Sequence, residues 1–319
     1  MIDIKKALHI VQSKQWGEFK TKMGTPAVKV GDIQFTKHKI PLTGYFIGYA
    51  PRVNFYMQSF SCKELETVCR QEKCIAIRFD VPNVIRKEGA NGEYKHMIED
   101  LNKIMRRSPR STFAKQNVIL NLDKPEGELS QNLHSKTRYN VKLAFKQGVK
   151  VIKDNTDKGF DVFYGLHSNT AKRQGFFPHS KTYYKRVFET LSKYKMVDIL
   201  TAYHEKDALA SWMLFNNKGV LYYPYGGSSV VKRQYMASNL LAWEAIKLGK
   251  RLNCKLFDMW GATDNEKDPY WGFTKFKLGY GGELVNYIDS HDYVVNYNLY
   301  KLFNVSYGVF WKLAKLIKR

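Results

Sequence analysis

One order of elements occurs twice in this chain and restricts the fold more than any single motif: short strands, an amphipathic helix, then a buried strand. In the first half, strand-like runs at Ala27 to Val30, Tyr45 to Tyr49 and Asn54 to Met57 are separated by Gly and Pro. Ser61 with Glu64 forms an S-x-x-E capping box, and Leu65, Val68 and Cys69 supply the apolar stripe of a helix. Cys74 to Phe79 then reads as a buried strand, ended by Asp80-Val81-Pro82. The second half repeats the order with strands at Asp198 to Tyr203, Ala208 to Phe215 and Val220 to Tyr225, a helix from about Tyr235 to Lys250, and a strand at Cys254 to Asp258. A chain of 319 residues exceeds a typical domain of ~150, so the repetition marks two domains of mixed sheet and helix, an α/β (α+β) protein.

Between the two units the pattern predicts a strand at Asn117 to Leu122, a helix from about Leu133 to Gln147 closed by Gly148, and a strand at Val149 to Lys153. Helices follow at Gly159 to Lys172, stopped near Gly175, and at Thr182 to Lys193. The expected partition is 1–116, 117–289 and a terminal segment, 290–319. In that segment Leu299, Leu302, Phe303, Ser306, Phe310, Leu313 and Ile317 fall on one helical line, opposite Lys301, Lys312, Lys315 and Arg319. Two readings stay open: a docked terminal helix with solvated lysines, or one whose last turns, from Trp311, touch lipid headgroups. Gly308 weakens this helix at its centre, where it could split in two.

Subtracting 29 acidic from 52 basic residues leaves +23, a field that attracts nucleic acid, anionic lipid or phosphorylated substrates. No run approaches the ~18 apolar residues of a spanning helix, and the first residues lack a signal peptide's apolar core, so a cytoplasmic protein is expected. Cys62, Cys69, Cys74 and Cys254 fit no zinc spacing and read as packing residues. The absence of HExxH, GxxxxGK[ST] and strand-led GxGxxG patterns predicts chemistry without metal or cofactor.

The densest chemical constellation is Asp268 to Glu283, where lysines and aromatics precede a glycine turn. A lysine held against rings, as Lys277 beside Phe276 would be, can stabilise a developing oxyanion or a phosphate, although the same composition suits an ordinary loop. Tyr222 to Ser229 opens into small residues before Lys232 and Arg233, a pattern suited either to an anion at a helix start or to a hairpin exit. Lys20 follows Trp16 by four residues on a short helix, Gln12 to Lys20. Arg138, Lys142 and Lys146 form a basic stripe that could follow a nucleic-acid backbone or simply face solvent. Asp80, ending a central strand, either orients or deprotonates an amine or caps a turn.

Four segments in order, Gln12-Ser13-x-x-Trp16-Gly17-Glu18-Phe19-Lys20, Ile77-Arg78-Phe79-Asp80, Ser135 to Lys142 running to Gly148-Val149, and Phe276-Lys277-x-Gly-Tyr-Gly-Gly-Glu-Leu-Val, resemble the Fem family of aminoacyl-tRNA-dependent peptidyltransferases. The resemblance implies two GNAT-like acyltransferase domains, with the C-terminal segment returning to the first. It also implies transfer of an amino acid from its tRNA ester to a stem-peptide amine of a peptidoglycan precursor, either lipid II or UDP-MurNAc-pentapeptide. Some relatives carry a helical arm; here Gln174-Gly175-Phe176-Phe177 leads directly toward Ser180, so no arm is expected. By the same likeness Lys277, with Phe276, supports the tetrahedral transition state, Asp80 lies near the acceptor, and Lys20, Tyr183, Tyr223 and Tyr225 hold the precursor's phosphates and sugar. Trp16 and His179 join that set, with His179 standing where some relatives have arginine. Aminoacyl-tRNA is assigned to Arg138, Lys142, Lys146, Lys232 and Arg233, and peripheral contact with an anionic inner membrane accompanies a lipid-linked acceptor.

Two other functions fit parts of the pattern. An acetyl-CoA-dependent GNAT enzyme would carry an R/Q-x-x-G-x-G/A loop, whose glycines are missing from Val231 to Ser238. A non-catalytic binder of tRNA or anionic membrane would share the +23 charge.

Overall fold

The positive-φ Gly31 turns Ala27–Val30 back on Ile33–Lys39, and this hairpin starts the first of two sheets in the computed structural model, which describes residues 7–86 and 93–317. In chain order the elements begin with α1 (Lys14–Lys22), β1 (Ala27–Val30), β2 (Ile33–Lys39), β3 (Phe46–Pro51), α2 (Cys62–Gln71), β4 (Cys74–Asp80), α3 (Glu93–Ile104) and β5 (Arg106–Arg107). They continue with β6 (Gln116–Asn121), α4 (Glu126–Gln131), α5 (Ser135–Lys146), β7 (Lys150–Lys153), α6 (Asp157–Gln174) and α7 (Lys181–Ser192). The remainder is β8 (Val197–His204), β9 (Asp207–Asn217), β10 (Val220–Ser228), α8 (Ala237–Arg251), β11 (Leu256–Gly261), α9 (Trp271–Leu278), β12 (Glu283–Asn286), β13 (His291–Val294) and α10 (Tyr297–Ile317).

The chain divides into two compact units, residues 11–113 with 287–319 and residues 1–10 with 114–286. In the first, the sheet runs β1-β2-β3-β4-β13-β5, with β3 and β4 parallel and the other pairs antiparallel. Every residue of β4 is buried, as a central strand covered on both faces requires. Its core gathers Phe35, Leu65, Cys69, Ile77, Phe79 and Ile288. Ser61 caps α2 by accepting from the Glu64 N–H, an interaction worth about 1 kcal/mol. Arg78 of β4 pins β13 through both carboxylate oxygens of Asp292, at 2.9 and 2.8 Å, and Tyr300 of α10 donates to the same carboxylate at 2.7 Å.

In the second unit the sheet runs β12-β6-β11-β10-β9-β8-β7, and only β10 and β11 pair in parallel. α8 covers one face, burying Leu240, Leu241, Ala245 and Ile246 against Leu214 and Leu221. α6 lies against β9 and β10, where a Cβ on Gly227 would fall within 2.4 Å of the Leu166 and His167 backbone, so glycine is what allows this approach. Thr156 and Ser180 cap α6 and α7, and Gly175, at φ +72°, closes α6. Residues 175–180 alone separate α6 from α7, so no helical arm is inserted there.

Four expectations are corrected. Asn54 to Met57 is a turn, because the Asn54 carbonyl accepts from the Met57 and Gln58 N–H groups while its side chain accepts from Tyr56. Cys62 is exposed at the start of α2, whereas the other three cysteines are buried. α10 continues through Gly308 unbroken. Its packed side is set by Tyr300 and Phe303, while Leu302, expected on the docked line, is exposed, as is Ser306. Phe303 and Tyr307 are instead fastened by the Arg110 guanidinium, 5.3 and 3.6 Å from their ring centres. The side chains from residue 309 onward, including Phe310, Trp311, Lys312, Leu313, Lys315 and Ile317, lie outside the described residues, as does Arg319.

Candidate active site

The parallel ladder between β10 and β11 stops at Tyr222 and Asp258. Beyond it β10 is bulged at Tyr223 and Pro224 and stays with β9, while β11 shifts register after Asp258 and stays with β6. The two strands thus cease to share hydrogen bonds at the carboxyl end of β11, where open sheets commonly bind ligands.

Lys277 of α9 reaches this place. Its side chain is only 7% exposed, its Nζ donates to the Gly261 carbonyl at 2.5 Å, and it lies 6.0 Å from the Tyr223 ring centre. Burial lowers the lysine pKa to about 8, partly opposed by the carboxylate of Asp258. Asp258 is held by both oxygens on the Asn117 side-chain amide, at 2.8 and 2.9 Å, and accepts from the Trp260 N–H at 2.7 Å. Trp260 sits at φ +65°, a conformation a bulky residue adopts only when its surroundings enforce it. His9 packs between Tyr222 and Trp260, 4.0 Å from the Asp258 carboxylate. Phe276 packs edge-on to Tyr280 and Trp212, and Trp212 stacks on Tyr223 at 3.7 Å. A protonated amine in a dry aromatic enclosure can hold an oxyanion or a phosphate far more strongly than one in water.

A second aromatic group involves the outer part of the same strand. Tyr225 meets Tyr184 edge-on at 4.9 Å and is hydrogen-bonded to Tyr183, which stacks on His179 at 3.8 Å. Burial pushes the Tyr183 hydroxyl up to about 12 and raises those of Tyr223 and Tyr225 as well, so all three stay neutral at ordinary pH. His167 lies behind them, bonded to the Gly226 carbonyl and the Tyr184 hydroxyl at 2.9 Å each. Its pKa is lowered by burial.

Trp16, Lys20 and Asp80 belong to the first unit. Trp16 is buried against Phe19 on α1. Burial lowers the Lys20 pKa, and burial together with the Lys20 charge brings His38 down to about 4. Asp80 is fully buried and accepts from Tyr49 (2.6 Å), Ser290 (2.8 Å) and the backbone N–H groups of Thr112 and Phe113. That carboxylate holds the segment at 112–113 against the end of β4.

Of the remaining residues, Lys142 and Lys146 are exposed on α5, and Arg138 is half-buried with its guanidinium on the Leu133 carbonyl at 3.2 Å. Lys232 is occupied by Asp207 at 2.8 Å and Glu205 at 3.5 Å, and Arg233 is exposed in the short turn before α8. The structure therefore groups Lys277, Phe276 and Tyr223, groups Tyr225, Tyr183 and His179, and leaves Lys232 with its charge matched. Sequence reasoning missed Asn117, Asp258 and Trp260. Their only local signal was an acidic residue closing a buried strand just before Gly261.

Among the described residues no helix is long and apolar enough to cross a membrane, and no three His, Cys, Asp or Glu side chains could hold a metal ion.

Two sheet-and-helix units in one chain, one of them parting at a pair of parallel strands, are the architecture of a tandem GNAT-like protein. The fold is similar to a tandem GNAT protein from the clavulanic acid biosynthesis pathway, with a TM-score of 0.51 at 11% identity over 83% of this chain and 79% of that one. More specifically, the model of the FemAB family matches residues 4–201 and 193–307, and the chain belongs to that family. The crystal structure of FemX resembles it with a TM-score of 0.81 at 18% identity, covering 94% of this chain and 96% of the other. A lipid II:glycine glycyltransferase of Staphylococcus haemolyticus is 24% identical over 384 residues, 92% of this chain and 90% of its own length. The aligned length exceeds the 319 residues here, so that relative holds insertions this chain lacks.

Proposed function

We propose that the protein is an aminoacyltransferase that moves an amino acid from aminoacyl-tRNA to an amine on the stem peptide of a peptidoglycan precursor. The observation that carries this reading is the buried Lys277 ammonium beside the point where β10 and β11 part. The precursor as acceptor is supported by the relative named lipid II:glycine glycyltransferase and by FemAB membership.

An aminoacyl ester is already activated, so the protein has to hold an amine against its carbonyl and stabilise charge. The amine nitrogen bonds to the carbonyl carbon, and the oxygen becomes an oxyanion that the Lys277 ammonium stabilises. Collapse breaks the ester bond. The amine gives up one proton, the ribose hydroxyl takes one, and an amide remains. With a pKa of about 8, Lys277 carries its charge at neutral pH. Phe276 positions it through its contacts with Trp212 and Tyr280.

Tyr183, Tyr223, Tyr225 and His179 of the second unit would hold the precursor. Asp80 acts as a positioning residue for 112–113, because its oxygens are already engaged. Exposed Leu302 and Val305 beside Lys301 on α10 support peripheral contact with an anionic inner-membrane surface on the cytoplasmic side. The test is to mix the protein with charged tRNA and either lipid II or UDP-MurNAc-pentapeptide and to weigh the acceptor. Gain of one aminoacyl residue supports the reading; an unchanged mass with every charged tRNA refutes it. Loss of one oxyanion donor costs ~3 kcal/mol, so Lys277→Ala should lower turnover about a hundredfold.

A further inference from the structure

α5 carries four cations, Lys136, Arg138, Lys142 and Lys146, and no acidic residue. Thr137 and Ala144 define its buried side. At ~100° per residue, Tyr139, Lys142 and Lys146 share an arc of roughly 60° opposite them, with Arg138 and Phe145 along one edge. Tyr139 is 64% exposed and Phe145 76%. With 52 basic against 29 acidic residues many surface cations have no carboxylate, Lys29, Lys63, Lys150 and Lys172 among them, while Lys22, Lys124, Lys181, Lys185, Lys232 and Lys247 each hold one. Among the described residues, none of the four α5 cations holds one either, and α5 differs in gathering four cations on one helix without an acidic residue. Lys136 and Arg138 also sit near the helix N-terminus, whose partial positive charge repels them, so helix stability gives no reason for their placement. Unmatched cations interleaved with bare aromatic rings suit single-stranded nucleic acid, in which phosphates meet the cations and unpaired bases stack on the rings.

The start of this helix is fastened to the element that carries Lys277. The N–H of His134, the residue capping α5, donates to the Gly279 carbonyl at 2.9 Å, immediately after α9. A Cβ on Gly279 would lie 2.4 Å from the Thr137 hydroxyl, and one on Gly281 would lie 3.1 Å from the Asn132 carbonyl. The glycine turn after Lys277 is therefore packed directly on the first turn of α5. At ~1.5 Å per residue the helix extends from that contact for about 18 Å.

We infer that α5 is the docking track for the single-stranded 3′ end of the donor tRNA. Arg138, Lys142 and Lys146 meet its phosphates, Tyr139 and Phe145 stack on its unpaired bases, and its esterified terminus points toward α9. This rests on the aminoacyl-tRNA reading above and adds the surface that such a donor uses.

Fluorescence anisotropy tests it with two labelled RNA hairpins, one ending in four unpaired 3′ nucleotides and one blunt. The variants are Tyr139→Ala with Phe145→Ala, and Lys142→Gln with Lys146→Gln, all at exposed positions, with unchanged thermal melting as the check on folding. The aromatic pair should weaken binding of the overhang at least about tenfold and leave the blunt hairpin within about twofold. The lysine pair should reduce the dependence of log K on log salt by about 1.4, two phosphate contacts at ~0.7 each. With sedimentation on vesicles containing anionic lipid as a second arm, wild-type RNA affinity in both variants, no RNA binding by the wild type, or a loss confined to the vesicles would each overturn the inference. If the α5 variants bind normally while Lys277→Ala slows transfer about a hundredfold, α5 alone is wrong. If the wild type transfers nothing from charged tRNA, the donor reading fails whatever α5 binds.

Discussion

Replacing Lys277 with methionine removes a charge from an enclosed site while keeping most of its volume, and the account requires this to stabilise the fold as it disables the enzyme. The lysine falls from 10.5 in the unfolded chain to about 8 in the folded one, because burial penalises the ammonium. Below pH 8 both states are protonated and the full penalty is present. Between pH 8 and 10.5 the unfolded chain binds the extra proton, so the wild type gains stability as pH rises through that window. At 1.36 kcal/mol per pH unit the penalty is roughly 3 kcal/mol at pH 7 and falls by about 2 kcal/mol by pH 9.5. The advantage of Lys277→Met over wild type should shrink by that amount over the same interval. Urea unfolding at the two pH values measures it by fluorescence, since Trp212, Trp243, Trp260 and Trp271 lie in the same unit as Lys277. A difference between the two proteins that is constant with pH, or that grows as pH rises, would refute a desolvated ammonium at this position.

Other perturbations follow from the same geometry. The rate should decline as pH rises past about 8, where Lys277 loses its proton; a pH–kcat profile flat to pH 10 would contradict this. Asp292→Ala leaves Arg78 buried without its partner and should cost about 3–5 kcal/mol in urea unfolding. Gly227→Ala drives a methyl into the α6 backbone and should cost about 1–3 kcal/mol, read as a lowered melting temperature. Asp80→Asn places an amide hydrogen against backbone N–H donors and should cost roughly 1–3 kcal/mol while exposing the 112–113 segment to proteolysis.

The recurring order of strands and helix was legible because its signals are local. Ser61 and Gly175 mark helix ends by a hydrogen bond and a backbone angle, and Leu65, Val68 and Cys69 give α2 its stripe; Thr156 and Ser180, which cap α6 and α7, go unread in the sequence pattern, which starts those helices at Gly159 and Thr182. β2 went unread because Ile33–Lys39 is half polar and becomes a strand only by pairing with β1 and β3. β13 is fixed by Arg78, 214 residues earlier in the chain, which no window can detect. α9 spans only eight residues, too few turns for periodicity to distinguish it from a loop. Lys277 and Phe276 were reachable through a family motif, whereas Asp258, Asn117 and Trp260 converge only through the register between β6 and β11.

The most direct test of the central claim is the mass of a stem-peptide precursor after incubation with charged tRNA and either wild-type or Lys277→Ala protein. Wild type should add one aminoacyl residue to the precursor, and the variant should do so about a hundredfold more slowly with its fold intact. Equal rates in the two proteins would remove the buried lysine from the chemistry.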